Sequence, residues 1–107
     1  MRLITFTNHA ASAVTLSWTA DQDYVAVACA GANGVISLDP SLTAAGWRDA
    51  PAANLVFDKW VLDCGNFWQI GFQLAFPISK GEKIYCACPA VIGTNYLLLE
   101  ATADLIS

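Results

Sequence analysis

Apolar and polar side chains alternate with a period of two along most of this chain, and no helical stripe of comparable length competes with that pattern. In Val14-Thr15-Leu16-Ser17-Trp18-Thr19 the large apolar residues take one side and the hydroxyl residues the other. Successive side chains of a strand point to opposite faces, so this is the pattern of a half-buried strand. Between Phe67 and Phe76 the residues Trp68, Ile70, Phe72, Leu74 and Phe76 share one side, with Gln69, Gly71 and Gln73 on the other. Strands are expected near 2–8, 13–20, 23–30, 34–38, 54–63, 66–76, 82–90 and 95–102. The breaks fall at Asn8-His9, Asp21-Gln22-Asp23, Gly31-Ala32-Asn33-Gly34, Asp63-Cys64-Gly65-Asn66, Ser79-Lys80-Gly81 and Gly93-Thr94-Asn95, all turn formers.

About eight strands joined mostly by short turns predict an all-β fold: one domain over 1–107, a two-sheet antiparallel sandwich of the jelly-roll kind. An immunoglobulin sandwich is disfavoured. Its corner tyrosine would stand two residues before a sheet cysteine, where Ile84 precedes Cys86 and Cys86 precedes Cys88. The segment 39–53, rich in Ala and Pro, breaks the strand pattern and reads as a long loop with at most a helical turn after Asp39-Pro40.

Charge is scarce for a chain of 107 residues: 13% of it is charged and 56% hydrophobic, against about 25% charged in an ordinary soluble domain. Small domains have much surface for their volume, so part of this surface is expected to meet something other than water. Tyr24-Val25-Ala26-Val27-Ala28-Cys29, Ile84-Tyr85-Cys86-Ala87-Cys88 and Tyr96-Leu97-Leu98-Leu99 are apolar on both sides, where a sandwich strand buries only one. A homo-oligomer joined through sheet faces follows as the expectation. Tyr85, Tyr96 and Leu98 are its candidate residues, with Gln69 and Gln73 offered as a pair across a symmetric contact.

The net charge is −4, and of the five basic residues only Lys80 and Lys83 are close in sequence. Phosphate neutralisation and anionic-lipid binding both need clustered Lys and Arg, so neither nucleic acid nor membrane is an expected partner. The opening apolar run stops at Asn8-His9, too short for a signal peptide, and a reducing compartment is expected.

Little here reads as chemistry. Cys29, Cys64, Cys86 and Cys88 are expected to be buried free thiols, ahead of a disulfide or a metal site. Cys86 and Cys88 lie on one face of one strand, and zinc-like spacing is missing. His9 has no partner motif and is expected to face solvent. Nothing selects a carboxylate pair for catalysis, and no phosphate loop or nucleophile motif is found, so no catalytic residue, metal or cofactor is assigned. Trp47-Arg48 is the most distinctive pair. Both residue types are frequent in binding hot spots, although Trp47 is expected first to fold back and anchor its loop.

The start Arg2-Leu3-Ile4-Thr5-Phe6-Thr7-Asn8, the turn Thr19-Ala20-Asp21-Gln22-Asp23-Tyr24, the turn Pro77-Ile78-Ser79-Lys80-Gly81-Glu82-Lys83-Ile84 and the closing Tyr96-Leu97-Leu98-Leu99-Glu100 together resemble the small jelly-roll proteins of tailed phages. That resemblance spans most of the chain. It implies a tumour-necrosis-factor-like (TNF-like) jelly roll, a homotrimer, and attachment to other capsid or tail proteins in a virion assembled in the host cytoplasm. A structural virion protein is therefore the first expected function. A lectin-like module with Trp47 stacked on a sugar is the alternative, and a β-sandwich hydrolase ranks last.

Overall fold

The computed structural model describes residues 1–38, 61–64, 69–70 and 76–102. Among them nine strands form: β1 (Arg2–Asn8), β2 (Val14–Thr19), β3 (Tyr24–Ala30), β4 (Val35–Ser37), β5 (Val61–Asp63), β6 (Gln69–Ile70), β7 (Phe76–Ile78), β8 (Lys83–Cys88) and β9 (Gly93–Ala101). They make two antiparallel sheets. One has the order β1-β9-β3-β6, with β7 also on β3, and the other the order β2-β8-β4-β5. The protein is all-β and sandwich-like.

The core follows from the alternation. Ile4, Phe6, Tyr24, Leu97 and Leu99 of the first sheet meet Ile36, Leu62, Ile84 and Cys86 of the second in one buried cluster. Full burial of such a side chain stabilises by about 1.5–3 kcal/mol, so these inward rows supply most of the driving force. Between Ala26 and Ala28 the register of β3 against β9 shifts by one residue. That bulge lets Ala26 and Cys29, three positions apart, both enter the core.

Of the strand expected at 66–76, residues 69–70 and 76 are described, and the rest lie outside the described residues. Within it the described backbone pairs with β3 at Gln69–Ile70, and β7 then runs on through Pro77 to Ile78. Proline lacks a ladder donor, which a strand at the rim of a sheet tolerates. Of the strand expected at 54–63, residues 61–63 are described and form β5. The last strand begins at Gly93 rather than 95, and its turn lies at Pro89–Ile92.

Asn95 explains that difference. It stands inside β9, 1% exposed, and its Oδ1 accepts hydrogen bonds from the amides of Ala32 (3.0 Å) and Gly34 (2.8 Å). Gly34 is required there, since a Cβ would stand 2.5 Å from Asn95 Cγ. Asn8, 3% exposed, does the same work at the neighbouring loops. Its Nδ2 donates to the carbonyls of Ser12, Pro89 and Val91, and its Oδ1 accepts from the Ala10 amide. Asn95 thus satisfies the buried Gly34 amide, and Asn8 ties the 9–13 and 89–92 loops together.

Among the described residues most of the charge lies at one end of the sandwich, Asp63 in register with Val35 being the exception. Arg2, Asp21, Asp23, Lys80, Glu82, Lys83 and Glu100 belong to the end holding the β2–β3 and β7–β8 turns. The loops 9–13, 31–34 and 89–92 at the other end carry no Asp, Glu, Lys or Arg, and Val91 and Ile92 are exposed there.

Candidate functional site

Among the described candidate residues, Tyr85 stands apart from Tyr96 and Leu98. Tyr96 and Leu98 alternate with the core residues Leu97 and Leu99, so they stand on the outer face of the five-stranded sheet. Register puts Leu98 between Leu3 of β1 and Ala28 of β3, and Tyr96 between Thr5 and Ala30. Leu3 is 49% exposed, while Leu98 and Tyr96 are half-buried. The next pair along is polar, with Thr7 and Thr94 hydroxyls 3.1 Å apart. Tyr85 alternates with Ile84 and Cys86 and therefore lies on the outer face of the other sheet, between Ser17 and Ser37. Gln69 stands in register with Cys29. Trp47, Arg48 and Gln73 lie outside the described residues.

The second faces of the doubly apolar strands are covered more fully than the sequence suggested. Val25, Ala28 and Ala30 of β3 are buried without belonging to the central cluster, as are Val35 and Ala87 of the second sheet. β3 therefore needs no second copy to hide Val25, Ala28 and Ala30. Among the described residues the open apolar surface on the sheets is Leu3 with Leu98 and Tyr96 on the outer sheet face and the row Val14, Leu16 and Trp18 on β2, besides Met1 and the loop residues Val91 and Ile92.

That β2 row faces inward, since Leu16 pairs with Cys86 and Trp18 with Ile84. It is nevertheless only half-covered, and among the described residues β1 and β2 are the last strands of their sheets on one side. A polar lid closes one end of the opening. Arg2 lies with its guanidinium carbon 5.0 Å from the Trp18 ring centroid, and it donates to Asp21 Oδ2 (2.8 Å) and to the Tyr24 hydroxyl (3.0 Å). Tyr24 in turn donates to Asp21 Oδ1 (2.7 Å) and accepts from Gln22 Nε2 (3.1 Å). The Tyr24 bond first, then the Arg2 bond, holds the Asp21 carboxyl below its ordinary value. Sequence reading placed Trp18 on the apolar side of a strand and missed Arg2. The parity of Arg2 with Ile4 and Phe6 was the available signal.

All four cysteines are buried thiols, as expected. Cys86 and Cys88 share one face with their sulfurs 3.8 Å apart, and Asn95 Nδ2 stands 3.7 Å from Cys88 Sγ. The hydrogen bond from Cys86 brings the Cys88 thiol down to about 7, with help from Asn95 and against burial. The same bond and burial push the Cys86 thiol up. Among the described residues no group of three or more His, Cys, Asp or Glu is arranged to hold a metal. His9 is exposed. No helix among the described residues is long and apolar enough to cross a membrane.

Compared with protein-family models, with curated proteins and with solved structures, the chain matches none.

Proposed function

We propose that this chain is a structural protein rather than an enzyme: a self-associating, TNF-like jelly roll that forms a homotrimer and caps or decorates a capsid or tail lattice. The pairing pattern supports the jelly roll. The pairs β1:β9, β2:β8, β3 with β6 and β7, and β4:β5 nest like the rungs of one long hairpin whose tip lies between β4 and β5. Alternate rungs fall in alternate sheets, as when such a hairpin is rolled up. The resemblance to small phage jelly rolls supports the trimer and the lattice.

The observation that carries self-association is the apolar surface one copy leaves open, Leu3 with Leu98 and Tyr96, in a chain with so little charge. Obligate interfaces are built from such surface. Light scattering on the purified protein is expected to give a multiple of three of the 11.4 kDa chain mass, one trimer or trimers joined further. Sedimentation with purified tailed-phage particles is expected to carry it into the pellet. A single-chain mass at every concentration contradicts self-association, and a trimer that binds no particle contradicts the lattice role.

A further inference from the structure

The sheet edges of this sandwich are unequally protected. On the far side, among the described residues, β7 contains Pro77. Proline is one of the usual means of keeping a sheet edge from pairing with another chain. On the near side β1 has seven residues and β2 six. β1 carries Arg2, and its inward residues Ile4 and Phe6 are buried. β2, Val14-Thr15-Leu16-Ser17-Trp18-Thr19, has no charge, no proline and no glycine. Among the described residues it pairs with β8 alone. Its inward row is also unfinished: Val14 is 37% exposed, and Leu16 and Trp18 are half-buried. One strand thus offers both an open hydrogen-bonding edge and a half-covered apolar row.

Resting on the self-association proposed above, we infer that the free edge of β2 pairs antiparallel with β2 of a second copy about a two-fold axis. The occupant is a second copy because the strand complements itself. Directly opposed residues in an antiparallel pair share a face. Setting Leu16 against its own counterpart sets Val14 against Trp18 and Thr15 against Ser17. Apolar then meets apolar on the inner row, and hydroxyl meets hydroxyl on the outer one. A slip of one residue places Leu16 against Ser17 and loses the match on both faces. The contact is isologous and closed, and it joins two four-stranded sheets into a continuous one. Two trimers joined in this way make a hexamer. A chain that associates only through this edge makes a dimer.

The test is the native mass of the Thr15→Lys/Ser17→Lys double variant beside the wild type, with circular dichroism as the check on folding. Both positions are exposed and outward, and the paired register sets lysine directly against lysine. The double variant is expected to fold and to show about half the wild-type mass, since one two-fold contact is lost. A folded variant that keeps the mass of an oligomeric wild type overturns the edge pairing and leaves self-association standing. A monomeric wild type overturns both. If the double variant does not fold, Thr15→Cys/Ser17→Cys decides: the register sets each new outward thiol directly against one of the second copy, away from Cys86, and mild oxidation is expected to give a covalent dimer. An oligomeric form of this variant that does not cross-link contradicts the register.

Discussion

The guanidinium of Arg2 lies 5.0 Å from the ring centroid of Trp18, joining the edge strand of one sheet to the edge strand of the other. Tyr24, whose ring centroid is 5.8 Å from that of Trp18, ties the pair to the β2–β3 turn through Asp21. Trp18 is therefore the side chain that most nearly closes the open side. Trp18→Ala is expected to lower unfolding free energy by about 2 kcal/mol, less than a fully buried tryptophan, as measured by urea unfolding. A loss within error of zero contradicts its role as a closing residue.

The acid limb of stability should report the same cluster. Asp21 has a lowered pKa, so its contribution is present above the ordinary value of 3.8 and is lost as pH falls through the folded value. The Tyr24 bond is the largest cause, so Tyr24→Phe is expected to raise the Asp21 pKa toward 3.8 further than Arg2→Met does. Carboxyl titration by NMR measures both shifts, and the reverse order contradicts the assignment.

Asn95 and Gly34 should be coupled. Removing the Asn95 amide orphans the Ala32 and Gly34 backbone donors, at about 1–3 kcal/mol each. Gly34→Ala drives a Cβ into Asn95 Cγ and is expected to cost about 1–3 kcal/mol. In an Asn95→Ala background that clash is absent, so the double variant is expected to lose clearly less than the sum of the two singles. Additive losses, read by denaturant unfolding, contradict the close packing.

The thiol pair makes a prediction at neutral and mildly alkaline pH. Cys88, held near 7 against about 8.5 in an unfolded chain, contributes stability above the unfolded value, and this is lost as pH falls through about 7. Cys86, pushed up, acts oppositely: its contribution is complete below about 8.5 and lost as pH rises beyond that. Cys86→Ala removes the main donor to Cys88 and is expected to raise the Cys88 pKa. Thiolate absorbance followed against pH checks this, and an unmoved midpoint contradicts the hydrogen bond as its cause.

The alternation made β2 legible nearly to the residue, because it sets large inward residues against hydroxyl outward ones, and the turn formers Asn8-His9, Asp21-Gln22-Asp23 and Gly31 bounded β1 and β3 as closely. Gly93-Thr94-Asn95 misled for a physical reason. Asparagine usually serves its own turn, whereas here Asn95 serves the 31–34 loop from inside a strand. Pro77 looked like a strand end and instead lies within a rim strand. Period two was enough to place Tyr96 and Leu98 on one face. It could not show that Tyr85 belongs to the opposite sheet, since sheet membership follows from long-range pairing. The burial of Val25, Ala28 and Ala30 was likewise beyond a local pattern, which records that a strand is apolar on both sides but not what covers it.

The most direct test of self-association is the native mass of the wild-type protein by light scattering over a wide concentration range. An oligomer that persists on dilution is predicted, an even multiple of the chain mass if the β2 edges pair. A single-chain mass at all concentrations would contradict the account, and the open Leu3, Tyr96 and Leu98 surface would then have to serve some purpose other than joining copies.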